Sequence, residues 1–260
     1  MKITILGARG SVPTDGVNMS EFGGATSCVL VETKDQAMFL DAGTGIINPP
    51  DIGDKHISIL ISHPHMDHMI GLPFLPQLFE KDRPIDIYAV NRDGYDTRMQ
   101  VDRLISPPLW PLSVTHYKAE VACHDIEGDF MIGDIGITCR EFNHPGGVTI
   151  YRVSNNGHSL VYATDYEHDD ENLHDLIDFS YNTDLLLYDA QYTEDEYQTK
   201  TGFGHSTAEY GLYVMQQCHA AMLRFIHHDP RHDDSMLKEM EDKINDRRIL
   251  YARKGEVITL

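Results

Sequence analysis

The feature that most constrains the fold is a run of histidine and aspartate directly after a buried strand. Residues 57–61, Ile-Ser-Ile-Leu-Ile, are typical of such a strand, and residues 62–68 read Ser-His-Pro-His-Met-Asp-His. Imidazole nitrogen and carboxylate oxygen are ligands that suit zinc and its neighbours in the first transition row. Because one short loop cannot wrap four ligands round a single ion without severe strain, the motif predicts two ions.

Alternation along the chain indicates how these ligands divide. In an extended segment, every second side chain faces the same way, so His63 and His65 are predicted to face one ion. Asp67 and His68 come after the bend and can face a second ion. A histidine-rich surface loop without function is the alternative, but the position of the motif at a strand end favours a metal site.

The motif and its downstream partners resemble the metallo-β-lactamase superfamily, and within it the phosphodiesterase branch that includes ribonuclease Z. The resemblance covers nearly the whole chain. In that superfamily a lone His, an Asp that bridges both metals and a final His follow, each at the end of a later strand. The ligand sets implied by the resemblance are His63, His65 and His144 for one ion, Asp67, His68 and His227 for the other, and Asp165 for both.

At two positions of this region, the sequence allows a second interpretation. His227 and His228 are adjacent, and only one should face the metal; the family usually places this ligand three residues before a proline, here Pro230, which favours His227. Asp41 matches a family Asp that hydrogen-bonds a metal-binding imidazole and fixes its orientation. Asp41 could instead be a turn residue before Gly43.

Residues 204–207, Gly-His-Ser-Thr, precede a helix-like stretch, for which Ser206 or Thr207 could be the N-cap. The branch that resembles ribonuclease Z carries a His-Ser-Thr at this place, after an acidic and aromatic segment that residues 188–192 match. The resemblance implies that His205 protonates or steadies the leaving oxygen. In the mechanism expected for two metal ions, Asp67 also orients the nucleophile. Local hydrogen bonding at a helix terminus is the alternative for His205.

Charge and spacing limit the substrate. Acidic residues outnumber basic ones 41 to 21, so the net charge of −20 disfavours a long nucleic acid. Asp165 lies only 21 positions after His144, which leaves no room for the arm with which bacterial ribonuclease Z grips tRNA. We therefore expect a small anionic phosphodiester such as a cyclic nucleotide. The alternatives are a carbonyl compound (lactone, thioester or lactam) and a tRNA 3′ end cleaved as by ribonuclease Z.

The expected cofactors are two divalent ions, with Zn²⁺ favoured and Mn²⁺ or Fe²⁺ also compatible. No apolar run approaches the length that spans a membrane, and no cleavable leader is recognisable, so the cytoplasm is the expected location. Relatives of this branch are often dimers, which makes a homodimer compatible with the sequence.

Apolar runs between glycines predict strands at 2–7, 27–32, 37–41, 57–62, 85–90, 135–142, 148–153, 159–165, 184–189, 223–227 and 256–260. Helices are predicted at 69–80, 206–221 and 235–246. Two strand-rich halves favour two sheets packed face to face in one domain, 1–260. The resemblance implies an α+β, four-layer αββα sandwich.

The longest interval between implied ligands, 76 residues from His68 to His144, suggests a cap or insert within 84–125. It contains the proline cluster of residues 106–111 and the only tryptophan, Trp110. This segment could form a wall of the pocket, a dimer contact or plain packing.

Overall fold

The strands of the first half of the chain build one sheet of seven strands. In the computed structural model, which describes residues 1–169 and 172–260, the strand order is β14-β1-β2-β3-β4-β5-β6. The strands are β1 (Lys2–Gly7), β2 (Cys28–Glu32), β3 (Gln36–Leu40), β4 (His56–Leu60), β5 (Pro84–Ala89), β6 (Glu120–Asp125) and β14 (Val257–Thr259). Strands β3 to β6 are parallel, so their carboxyl ends meet at one edge of the sheet, and residues 62–68 lie there.

The second half of the chain builds a matching sheet with the order β13-β12-β11-β10-β9-β8-β7. The strands are β7 (Phe130–Ile132), β8 (Ile135–Phe142), β9 (Val148–Asn155), β10 (His158–Ala163), β11 (Leu185–Asp189), β12 (Met222–Ile226) and β13 (Ile249–Tyr251). Strands β10 to β13 are parallel. Their carboxyl ends therefore bring residues that are far apart in sequence to a common edge.

Three apolar clusters explain the layers. Ile5, Val29 and Leu60 of the first sheet pack with Val153 and Leu187 of the second, which forms the core between the sheets. The other two clusters cover the outer faces. The helices are α1 (Met66–Met69), α2 (Thr97–Leu104), α3 (Asn172–Phe179), α4 (Glu194–Tyr197), α5 (Ala208–Cys218) and α6 (Asp234–Ile244). Because both faces of each sheet are covered, many strands read as continuous apolar runs.

The four-layer sandwich is confirmed, and most predicted strands are found within one or two residues of their predicted bounds. The prediction of a helix over 69–80 is wrong. Helix α1 ends at Met69, and Leu72–Phe74 and Pro76–Phe79 are short 3-10 helices. Pro73 and Pro76 lack the backbone N–H that a continuous α-helix needs, so they break the segment into single turns.

The predicted helices at 206–221 and 235–246 correspond to α5 and α6. Thr207 is the N-cap of α5, since its side chain accepts a hydrogen bond from the Tyr210 N–H. Strand β6 was not predicted because its sequence, Glu-Val-Ala-Cys-His-Asp, has few apolar residues, and its side chains are half-buried or exposed. None of the helices described between residues 1 and 169 or 172 and 260 is long and apolar enough to cross a bilayer.

Candidate metal centre

Two aspartates and one histidine lie just beyond the carboxyl ends of three strands, in an uncommon backbone conformation. Asp41 follows β3, Asp165 lies two residues past β10, and His227 follows β12. Their φ angles are 61°, 51° and 62°. A positive φ in a residue other than glycine costs energy and is often found at functional sites. All three residues lie beside the 62–68 motif, which follows the carboxyl end of β4.

The first group of side chains with converging ligand atoms is His63, His65, His144 and Asp165. One ligand atom from each of these residues lies within 4.8 Å of all the others. The Nδ1 atom of His65 is 3.1 Å from Nε2 of His144, and Nε2 of His63 is 3.6 Å from Oδ2 of Asp165. The structure therefore brings together all the residues implied for one ion.

The second group is Asp67, His68, Asp165 and His227. Nε2 of His68 lies 3.1 Å from Oδ1 of Asp165, and Nε2 of His227 lies 3.3 Å from the same oxygen. Oδ2 of Asp67 is 3.1 Å from Nε2 of His227. Asp165 thus directs one oxygen to each group, which is the arrangement that a carboxylate shared by two ions requires.

The donor atoms of both groups suit metal ions. Nε2 of His63 and Nε2 of His68 are buried and have no hydrogen bond with any described residue. Burial lowers the pKa of His63 well below its usual range and that of His144 to about 4, so both imidazoles are neutral and can offer a lone pair. Nδ1–H of His144 donates to the Gly204 carbonyl at 2.8 Å, which leaves Nε2 as the ligand atom. Divalent ions would satisfy these orphaned nitrogens.

Asp41 lies behind His68 and fixes its orientation. The Asp41 carboxylate is completely buried and accepts the Nδ1–H of His68 at 2.7 Å. It also accepts the N–H and Oγ–H of Ser62 and the hydroxyl of Tyr162, at 2.7 to 2.8 Å. Because Nδ1 of His68 carries the proton, Nε2 is free to bind a metal. This is the role that the family resemblance implies for Asp41.

The two adjacent histidines face different surroundings. His227 lies in the second group, whereas Nε2–H of His228 donates to the Ala252 carbonyl at 2.9 Å. His228 packs edge-on against Phe22, and burial lowers its pKa to about 3. His228 therefore belongs to the packing of the adjacent core, and His227 is the better candidate ligand.

Asp189 is a site residue that the sequence reasoning missed. It is buried and accepts the Nδ1–H of His205 at 2.9 Å, the N–H of Asp165 at 3.0 Å and the N–H of Gln191 at 3.0 Å. The signal was present: Asp189 closes the buried run 185–189, as Asp41 closes its own run. Asp189 anchors His205 and the backbone of the shared aspartate at the same time.

Gly204 couples His144 to His205 through the backbone. Its carbonyl accepts the Nδ1–H of His144, and its N–H donates to the buried Glu167 carboxylate at 2.8 Å. Glu167 also accepts the N–H of Gly202. The φ of Gly204 is 90°, and a Cβ there would lie 2.1 Å from Nδ1 of His144. Only glycine permits this approach.

Replacement of Gly204 by alanine is therefore expected to displace His144 and to weaken metal binding by about tenfold or more. Gly202→Ala is the matched control, since its φ is 88° but no heavy atom lies within 4 Å of the added Cβ. Both variants should lose about 1 kcal/mol of unfolding free energy from the unfavourable φ. Competition with a chelator measures the metal affinity, and equal affinities in the two variants would contradict this role of Gly204.

A cavity of about 540 Å³ opens beside the first ligand group. His63, His65 and Met66 line one side. The opposite side comes from residues 92–109, within the segment predicted to contain an insert. This segment leaves the first sheet after β5 and returns to it at β6.

Comparison with known proteins supports the resemblance. A family model described as a beta-lactamase superfamily domain matches residues 38–228. The probable metallo-hydrolase YhfI of Bacillus subtilis is 25% identical over 259 residues, which cover 94% of each chain. A ribonuclease Z of Haloarcula marismortui is 24% identical over 309 aligned residues, covering 99% of this chain and 94% of the relative.

Solved structures show the same fold. The crystal structure of YhfI aligns with a TM-score of 0.75 and 21% identity, over 99% of this chain and 98% of that chain. The short form of human tRNase Z aligns with a TM-score of 0.74 and 18% identity, over 100% and 99% of the two chains. With the family match extending over most of its length, the chain belongs to the beta-lactamase superfamily and has the metallo-β-lactamase fold.

Proposed function

We propose that this chain is a binuclear metal-dependent phosphodiesterase that acts on a small phosphodiester such as a cyclic nucleotide. Family membership and the metallo-hydrolases among its relatives support the coarser statement, a metal-dependent hydrolase. The observation that supports phosphodiesterase activity in particular is the position of His205. Its ring stacks on that of His227 with centroids 4.7 Å apart and lies 5.4 Å from that of His144.

The proposed ligands of the first ion are His63, His65, His144 and Asp165, and those of the second are Asp67, His68, His227 and Asp165. Two divalent ions, when bound, would neutralise phosphoryl oxygens and lower the pKa of a water molecule. Nitrogen and carboxylate ligands favour Zn²⁺ and also accept Mn²⁺ or Fe²⁺.

Asp67 is suited to orient the attacking water. Its Oδ2 accepts the Ser11 N–H at 2.8 Å and lies close to His227. Its Oδ1 has no hydrogen bond with any residue that the structure describes. That oxygen can accept a hydrogen bond from the nucleophile and so direct its lone pair at phosphorus.

His205 is suited to serve the leaving oxygen. Its Nδ1–H is held by Asp189, and its Nε2 has no hydrogen bond with the described residues. Because Asp189 holds Nδ1–H, Nε2 is the nitrogen through which His205 would pass a proton to the departing alkoxide. An alkoxide leaves poorly without a proton, which is why a phosphodiesterase needs such a donor.

Three observations support a small substrate. The interval between His144 and Asp165 is filled by the hairpin of β9 and β10, with its turn at 156–157. The alignment with the Haloarcula ribonuclease Z spans 309 residues, more than the 260 of this chain, so that relative has segments without a counterpart here. The net charge of −20 also repels a polyanion.

A ribonuclease Z-like endonuclease is the second candidate, because several relatives carry that name and align over most of their length. A screen of metal-loaded protein separates the candidates. It contains cyclic mononucleotides, cyclic dinucleotides, bis-p-nitrophenyl phosphate, a tRNA precursor, a thioester, a lactone and a β-lactam. We expect cleavage of small phosphodiesters; cleavage of the tRNA precursor alone, or of a carbonyl substrate alone, would overturn the proposal.

A further inference from the structure

We propose that the cavity beside the first ligand group binds the organic part of the substrate, and that Arg103 binds a second anionic group on it. The expected substrate class is a small phosphodiester with an aromatic ring and a further phosphate, such as a nucleotide phosphorylated at a second position. This inference rests on the proposed phosphodiesterase function. It adds which chemical groups the substrate carries next to the bond that is cleaved.

The wall that carries Arg103 is held firmly in place. Nε2 of Gln100, in α2, donates to the carbonyls of Val90 and Tyr95 at 2.8 and 2.9 Å, which fixes the loop before the helix. Thr97, at the start of α2, donates through its N–H and its hydroxyl to the Asp125 carboxylate in β6. The cavity is therefore formed before a ligand arrives, which reduces the entropy cost of binding.

Arg103 lines this cavity as a cation without an acidic partner. Its Nη2 donates to the Tyr95 hydroxyl at 2.7 Å, and its guanidinium lies 4.8 Å from the centre of the Tyr95 ring. No carboxylate of the described residues lies within 4.0 Å of it, although Asp93 lines the same cavity. By contrast, Arg98 in the same helix pairs with Asp102 at 3.0 Å.

Arg103 has no acidic partner among the described residues, although the protein has 41 acidic and 21 basic residues. Arg92, the other arginine of the cavity, is already neutralised by Glu141 at 2.6 Å. Arg103 is therefore the group left to bind an anion, and most of its N–H donors are free to do so. Guanidinium binds phosphate or carboxylate through paired hydrogen bonds.

The remaining lining favours an apolar body between the two anionic groups. Met66 is 63% exposed, Leu109 is 71% exposed and Tyr95 is 39% exposed, and all three line the cavity. Large apolar side chains left in contact with water beside a catalytic cluster gain free energy when a flat ring covers them. A volume of about 540 Å³ suits a nucleotide and not a folded RNA.

A matched pair of chromogenic esters tests the inference. One is p-nitrophenyl thymidine 5′-phosphate, and the other carries an additional 3′-phosphate. We expect kcat/KM of the wild type to be about tenfold higher for the ester with the second phosphate. Arg103→Gln should remove this preference, whereas the control Arg98→Gln should retain it. An equal ratio in wild type and Arg103→Gln would overturn the inference.

A binding measurement keeps this result distinct from the proposed function. Calorimetry of the metal-loaded protein compares thymidine 3′,5′-bisphosphate with thymidine 5′-monophosphate. We expect the bisphosphate to bind about tenfold more tightly to the wild type and Arg98→Gln, and with no advantage to Arg103→Gln. If neither ester is hydrolysed, the phosphodiesterase proposal fails, while the ratio of dissociation constants still decides whether Arg103 binds a second anion.

Discussion

Replacement of Asp165 by asparagine is expected to reduce turnover by at least about 10³-fold and to lower the metal content below two ions per chain. Asp165 is the one side chain common to both ligand groups, with Oδ1 near His68 and His227 and Oδ2 near His63. An amide offers a single weak oxygen ligand and no charge, so it cannot serve both groups.

Asparagine removes the charge of the carboxylate but leaves the backbone conformation at residue 165 unchanged, so the variant tests the carboxylate alone. Asp165 has a φ of 51°, which asparagine tolerates better than most other residues with a side chain, and its N–H can still donate to Asp189. Metal analysis after dialysis, together with kcat on the best substrate of the screen, measures the effect. Asp178→Asn, at an exposed position in α3, is the matched control. Two retained ions and near wild-type turnover in Asp165→Asn would contradict the assignment of Asp165.

Replacement of His205 by alanine is expected to lower kcat by roughly 10² to 10⁴ on a substrate with an alkoxide leaving group. The metal content should remain that of the wild type, because the proposed ligand sets do not include His205. The loss follows from the position of Nε2, which is the free nitrogen of a ring anchored by Asp189. Steady-state kinetics on a cyclic nucleotide and metal analysis of the same preparation measure both quantities.

A substrate with a different leaving group is the control for the His205→Ala experiment. p-Nitrophenolate is stable without a proton, so hydrolysis of a p-nitrophenyl ester should suffer much less from His205→Ala than hydrolysis of an alkyl ester. A merely structural role for His205 would depress both reactions alike. Equal losses on the two substrates, or a loss of metal, would remove His205 from the role of proton donor.

Much of the site follows from the sequence because its ligands lie at strand ends. His63, Asp165 and His227 each come after an apolar run, and parallel strands place such ends at one edge. The resemblance to a known family supplied the pairing of these ends across two sheets. Neither the positive φ of the three turn residues nor the convergence of the two oxygens of Asp165 can be read from spacing.

Other parts depend on tertiary contacts that leave little trace in the sequence. Asp189 anchors His205 across 16 residues, and Glu167 holds the loop of Gly204 across 37. Arg103 becomes notable only when the fold shows that no carboxylate among the described residues reaches it. The break in the segment 69–80 is different, since its two prolines already indicated that a continuous helix was wrong.

The central claim is a pair of divalent ions that share Asp165. Anomalous diffraction from a crystal of metal-loaded protein, recorded on both sides of the absorption edge of the metal, tests it most directly. We expect two peaks about 3.5 to 4 Å apart, one among His63, His65 and His144, the other among Asp67, His68 and His227. A single peak, or none within this cluster, would contradict the account.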